Sequence, residues 1–391
     1  MTSLPGSLTA SSQGVPPVLY LGDHFGYPSG VAHGVTTYLL DVLPVLQRAG
    51  VALRLCFLRE PHPAAAPLRA LGLEPVFLSA RPWSPLVVFA VARVARQARC
   101  GMIHAAGIKA TLVARIVGWM LGLPVLVHVH DQIMPPRLIR ILNRLFARRT
   151  DYCVGVSAAT RDVAMRGYHV PADRIHVIHN GIPLDRVRGI PADARQRQRD
   201  ALALPADARL IAMVARLHAI KGPLPMIRML PKILSRCGDA TLLMVGDGPE
   251  REACEALAAE LGLGARVRFL GHRSDVPEIL AAADLVVMPS VSEGLGLAAM
   301  EAIAAGRPVV AYAVGGLPEV IRDGVDGLCV PAGDESAFAA AVADLLADDA
   351  RRQRFGASAY EGAERFSLDR HVDAMLECYA RVSGGRDAVP A

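Results

Sequence analysis

The stretch from 284 to 316, DLVVMPSVSEGLGLAAMEAIAAGRPVVAYAVGG, admits few folds. Its apolar run, Leu285 to Met288, stops at Pro289 and reads as a buried strand. Ser290 to Gly296 is a polar, glycine-bearing turn. Leu297 to Ala305 reads as a helix closed by Gly306, and Pro308 to Tyr312 as the next strand. Strand, small-residue turn and helix N-terminus together make an anion site, because the first helical amides lack intrahelical partners and the dipole is positive there. Two carboxylates frame it. Glu293 stands in the turn and Glu301 eight residues on, roughly 12 Å along a helix at about 1.5 Å per residue. A nucleotide sugar could lie along this line, with its diphosphate at the amides of Gly294, Leu295, Gly296 and Leu297 and its sugar and ribose at the two carboxylates. On spacing alone, an N-capping Glu293 and a surface Glu301 fit equally well.

Apolar strand-like runs recur along the chain with helical segments between them: 18–21, 51–58, 75–78, 102–104, 125–129, 152–156 and 175–178, then 210–214, 240–245 and 267–270. That alternation predicts βαβ units and parallel sheets, an α/β fold. With 391 residues there is material for two domains with separate cores. The expected division is a flexible tail over 1–17, a first domain over 18–184, a second over 185–365, and a terminal helix and tail over 366–391. Charged, proline-bounded Pro183 to Arg199 reads as the linker and the start of the second domain.

In open parallel sheets ligands bind beyond the carboxyl ends of the strands. His104 and His130 both follow strand runs there, and His128 shares a strand face with His130, with Asp131 next to orient an imidazole. Gly34 opens a helix after the first strand, where a glycine lets backbone approach a phosphate; a simple tight turn is the other reading. Arg216 sits just past a strand end and Lys221 just before the next helix, two cations placed to neutralise a diphosphate.

Charge is divided unevenly. Residues 1–190 hold 20 Lys or Arg against 9 Asp or Glu, a net of +11, whereas the rest nets −6. So basic a half suggests an anionic partner: a phosphorylated acceptor, an anionic membrane or nucleic acid. Aromatic content of 5% without aromatic-basic interleaving argues against nucleic acid. Pro135 to Arg149 is a basic amphipathic helix with Leu138, Ile141, Leu142 and Leu145 on one side and five arginines. The simpler reading lays that apolar side on the sheet; the other lays it on an anionic membrane. No apolar run reaches the 18 or so residues of a membrane span. Seven scattered cysteines without a C-x-x-C pair argue for free thiols and a cytoplasmic setting.

The chain resembles the retaining glycosyltransferases of family four, which have the GT-B fold. Glu293 and Glu301 with Gly306-Arg307-Pro308-Val309 resemble that family's E-x(7)-E signature. Ala215-Arg216-Leu217 with Lys221-Gly222 resembles its G-R-L…K-G box, and Val245-Gly246-Asp247-Gly248-Pro249 its V-G-D-G-P turn. Phe269-Leu270-Gly271, Gly315-Gly316 with Glu319, and Asn180-Gly181-Ile182 with Asp185 fall in the family's order as well. Its usual glycine pair near the first strand is His33-Gly34 here.

The resemblance implies two Rossmann-like domains facing across a cleft, with the terminal helix crossing back. It implies transfer of a hexose from a UDP- or GDP-sugar, with retention, to a glycan, lipid-linked or small-molecule acceptor, as in cell-surface polysaccharide or glycolipid synthesis. Glu293 would meet the sugar hydroxyls and Glu301 the ribose. Arg216, Lys221 and the amides of Gly294 to Leu297 would hold the diphosphate, Gly34 would approach it, and His130 would shape the sugar site. No D-x-D triplet is present, so neither a metal nor any other cofactor is expected beyond the donor itself. Peripheral contact with an anionic membrane is a further expectation; nucleic acid is not. A nucleotide-sugar epimerase of the same architecture and a non-catalytic binder of anionic polymers are the alternatives, and an epimerase would need no acceptor.

Overall fold

The computed structural model describes residues 14–26, 34–79, 84–191, 193–204 and 208–384. Residues 1–13 of the expected tail, and His33 with most of the loop before it, lie outside these residues. The chain forms two compact units, one holding the chain up to Gly181 and the segment from Leu368 onward, the other Ile182–Ser367. In the first unit the sheet strands are β1 (Val18–Gly22), β2 (Leu53–Phe57), β3 (Val76–Phe77), β4 (Met102–Ala106), β5 (Val125–Val129), β6 (Tyr152–Gly155) and β7 (Ile175–Val177), in spatial order β3-β2-β1-β4-β5-β6-β7. The second unit has β8 (Arg209–Val214), β9 (Ala240–Val245), β10 (Val267–Gly271), β11 (Leu285–Met288), β12 (Val309–Tyr312) and β13 (Gly327–Val330), in order β10-β9-β8-β11-β12-β13. Every neighbouring pair is parallel.

This is the doubly wound α/β arrangement that the alternating runs predict. Strands covered by helices on both faces need continuous apolar runs. β1, β4, β5, β11 and β12 are accordingly buried at every position. In each sheet the strand order reverses beside the first strand, between β1 and β4 and between β8 and β11. Loops leaving the carboxyl ends of such a pair diverge and open a crevice.

Three expectations need correction. β4 runs on through Ala105 and Ala106, so His104 lies in mid-strand and not at its end. Residues 183–199 open the second unit, but they are not a linker. They hold the helices Leu184–Arg188 and Ala194–Ala201, and the second of these is locked down by charge. Asp284 accepts from Arg195 at 2.7 Å, from the fully buried Arg199 at 3.0 Å and from the Leu210 amide at 2.7 Å. Third, the basic helix spans Arg137–Leu145 and buries Ile139 and Asn143, whereas Leu138, Ile141 and Leu145 are 62%, 61% and 73% exposed. Arg115, wholly buried in the helix Ile108–Leu121, dictates this. Its guanidinium donates to the Asn143 side chain at 2.7 Å, the Asn143 carbonyl at 3.1 Å, Thr150 Oγ1 at 2.8 Å and the Tyr168 carbonyl at 2.9 Å. A buried guanidinium needs those acceptors. Turning the leucines inward would take them away.

β13 escapes the sequence pattern because it has four residues and opens on Gly327, where a Cβ would meet the Val309 carbonyl oxygen at 2.3 Å. The terminal helix Leu368–Gly384 packs against the helix Gly34–Arg48 of its own unit. Tyr38 and Tyr379 provide the polar contacts described below. None of the seven cysteines forms a disulfide.

Candidate active site

The richest arrangement lies at the β8/β11 reversal. β11 ends at Met288, and the chain turns through Ser290 to Gly296 into the helix Leu297–Ala304. Gly296 is the N-cap at φ 99°, and a Cβ there would meet Leu317 Cδ2 at 2.6 Å, so only glycine fits the turn. With no side chain at the cap, the first helical amides receive no capping oxygen from it. That is the geometry of an anion site.

The loop after β8 is tied to this turn. Gly222, left-handed at φ 72°, lets the Pro289 carbonyl oxygen approach to within 2.2 Å of where a Cβ would stand. The Val291 amide donates to the Ile220 carbonyl at 2.8 Å. This seam delivers Lys221 to Glu293: Nζ donates to Oε1 at 2.6 Å, and Ser290 Oγ donates to the same oxygen at 2.9 Å. The Glu293 side chain is 7% exposed and that of Lys221 31%. Behind them, Gly246 at φ 133° passes so close to β8 that a Cβ would fall 2.0 Å from the Ala215 carbonyl oxygen. The Leu217 amide donates to the Asp247 carbonyl at 3.0 Å, which fixes the backbone around half-buried Arg216.

The structure therefore brings Lys221, Glu293, Gly294, Leu295, Gly296 and Leu297 together, with Arg216 earlier on the loop that carries Lys221. Glu301 sits differently. The helix begins only at Leu297, so four residues of rise, about 6 Å, separate it from the helix start. The rest of the expected 12 Å path is turn. Glu301 accepts from Arg186 Nη2 at 3.1 Å. Sequence reasoning missed Arg186 and Ser290. Ser290 had the signal of lying three residues before Glu293, whereas Arg186, 115 residues from Glu301, had none.

In the first unit, Gly34 is the exposed first residue of the helix Gly34–Arg48. His130 follows β5 with its ring 3.9 Å from that of His128 and 4.9 Å from that of Tyr38, centroid to centroid. Beneath it runs a buried chain of imidazoles and phenols. His128 Nδ1 meets His104 Nε2 at 3.1 Å, and His104 Nδ1 meets the Tyr379 hydroxyl at 2.8 Å. His371 Nδ1 donates to the His179 carbonyl at 2.8 Å, so its Nε2 accepts from the Tyr38 hydroxyl at 2.8 Å. Burial, with neighbouring imidazoles adding to it, pushes His104 down to about 3 and His128 well below the usual range; burial holds His371 near 4. These rings are neutral and structural. Asp131 accepts the Ile133 amide at 3.0 Å, which closes a turn. Asp23, unremarked in the sequence, caps the helix Ile108–Leu121 from outside through the Lys109 and Ala110 amides at 3.2 and 2.6 Å.

Two family models match the chain: "Glycosyltransferase Family 4" over residues 32–186 and "Glycosyl transferases group 1" over residues 194–362. A D-inositol 3-phosphate glycosyltransferase of Xylanimonas cellulosilytica is 38% identical over 59% of this chain and 58% of its own. Another of that name, from Mycobacterium marinum, is 39% identical over 54% of this chain and 46% of its own. The matches span about half the length of these curated relatives. Anabaena HepE, solved in complex with UDP-glucose, superposes with a TM-score of 0.79 over 93% of this chain and 99% of its own, at 23% identity, a likeness of fold.

Proposed function

The chain belongs to the group 1, family-four glycosyltransferases of GT-B fold, and from that premise we propose that it moves a hexose from a UDP- or GDP-sugar to an anionic acceptor, with retention and without a metal. The observation that carries this reading is the Lys221–Glu293 contact at the amino end of the helix Leu297–Ala304. A lysine ammonium has three donors. One is spent on Glu293, and the other two are available to diphosphate oxygens beside the helix amides and Arg216. As the glycosidic bond breaks, negative charge grows on the diphosphate oxygen, and groups already aimed there stabilise it without reorganising. The acceptor hydroxyl attacks the anomeric carbon from the face the diphosphate leaves, and its proton passes to the departing phosphate oxygen. Glu293 orients the sugar hydroxyls through Oε2, and Glu301 holds the ribose, its carboxylate steadied by Arg186.

The relatives' name supports a small phosphorylated acceptor, and the +11 half of the chain suits one electrostatically. The unpaired cysteines support a cytoplasmic setting. A thermal-shift screen against UDP- and GDP-sugars tests the donor: at about 100 times its Kd the right one stabilises the fold by roughly 2.7 kcal/mol. No shift with either class at saturating concentration would remove the reading.

A further inference from the structure

The helix Arg137–Leu145 leaves an unusual face outward. Ile139 and Asn143 point into the unit, and the remaining residues divide the outer surface into two adjoining strips. At about 100° per residue, Leu138, Ile141 and Leu145 fall on one side and Arg137, Arg140 and Arg144 on the other. The residues of the apolar strip are 62%, 61% and 73% exposed, and exposed apolar residues grouped on one face mark an interaction site. On the helix Ile108–Leu121 packed beside it, Trp119 is 56% exposed with the Arg149 guanidinium 5.9 Å from its ring centroid. No acidic residue occurs between Asp131 and Asp151, so nothing within this stretch neutralises the arginines.

From this we infer that the face docks on an anionic lipid bilayer, lying in the interface with the leucine and isoleucine side chains among the upper acyl chains and the arginines among the headgroup phosphates. Three features favour a bilayer over a protein partner. Apolar and basic strips side by side match an interface that is oily below and anionic above. Trp119 at the margin suits the headgroup zone, where an amphipathic ring is most stable. A second copy of this chain is disfavoured, because a two-fold contact pairs the same patch with itself and would set arginine strips against each other. The buried Arg115–Asn143 contacts also hold the helix rigidly, so no ordering is needed before it lands. This inference deepens the proposed function by placing the enzyme at a membrane surface. It does not depend on the donor or on the Lys221–Glu293 site.

Co-sedimentation tests it with two vesicle types, phosphatidylcholine alone and phosphatidylcholine mixed with phosphatidylglycerol. Wild-type protein is expected on the anionic vesicles at low salt and not on the neutral ones. Replacing Arg140, Arg144 and Arg148 with Ser is expected to weaken that partition on the order of 100-fold, because each basic residue near such a surface contributes about a factor of five, and salt should erode the wild-type binding in the same way. Replacing Leu138, Ile141 and Leu145 with Ser should remove the part of the binding that survives physiological salt. Both triple variants change outward-facing residues, and unaltered circular dichroism with an unaltered donor thermal shift confirms that each is folded. The inference is overturned if wild-type protein ignores anionic vesicles at low salt. It is also overturned if the protein is a dimer in solution that the serine triple at 138, 141 and 145 makes monomeric.

Discussion

Replacing Lys221 with Met removes one cation while keeping most of the side-chain volume, and two separate losses follow. The first is to stability. Glu293 loses its 2.6 Å donor and keeps the Ser290 hydroxyl, inside a site where its side chain is only 7% exposed. A hydrogen bond to a charged group is worth about 1.5–3 kcal/mol, and the partial exposure of Lys221 puts the expected loss near the lower end. The second loss is catalytic. A preorganised donor at developing charge contributes about 2.7–4 kcal/mol, so kcat should fall by roughly 10²–10³ while donor binding weakens less. Because Lys221 also holds Glu293, the two residues should not act independently. In a cycle of Lys221→Met, Glu293→Gln and the double variant, the double should cost less than the sum by about 1–3 kcal/mol. The assay is steady-state release of UDP or GDP, on variants whose unfolding curves show them folded. Lys221→Met retaining kcat within about threefold, or losses that simply add, would refute the coupled site.

Other expectations follow from the same geometry. Glu301→Gln should raise donor KM about tenfold with little change in kcat, since ribose is held alike in ground and transition states; equal loss of kcat would reverse the placement. Asp284→Ala takes the carboxylate from the buried Arg199 guanidinium, leaving it the Ala208 and Ala282 carbonyls, and should lower the unfolding free energy by about 3 kcal/mol; a loss below about 1 kcal/mol in urea titration would contradict the lock. His371 is held near 4 when folded, below the ordinary value of about 6.5, so the unfolded chain takes up its proton first on acidification. Stability is therefore complete above about pH 6.5 and falls between there and about 4, by roughly 3 kcal/mol for this group, a limb that His371→Gln should flatten in a plot of Tm against pH. Gly222→Ala would drive a methyl into the Pro289 carbonyl and should cost both stability and kcat by parting the two loops; a variant as active as wild type would show the seam to be incidental.

The strands were legible because parallel strands covered on both faces must be apolar throughout, and such runs stand out without partners. The glycine turn before Leu297 was legible for a related reason, since an αL cap pressed against Leu317 tolerates nothing larger. Lys221 and Glu293 were marked by their resemblance to family motifs, but not that they touch: 72 residues separate them, and the Gly222–Pro289 approach and the Val291–Ile220 hydrogen bond bring their loops together. Arg186 against Glu301 and Tyr379 against His104 are likewise products of tertiary packing, and no local period announces them. The orientation of the basic helix was not legible in the sequence. Amphipathic periodicity says which residues share a side, but not which side faces inward. A buried arginine 28 residues away from Asn143 decided that, against the hydrophobic preference of the leucines.

The most direct test of the central claim is turnover with a UDP- or GDP-sugar in excess EDTA, with the anomeric configuration of the product read by proton NMR. If Arg216, Lys221 and the amides of the Leu297–Ala304 helix carry the leaving diphosphate, turnover should be undiminished by chelation and the product should keep the donor's configuration. Activity abolished by EDTA and restored by Mg²⁺ or Mn²⁺, or an inverted product, would contradict the account.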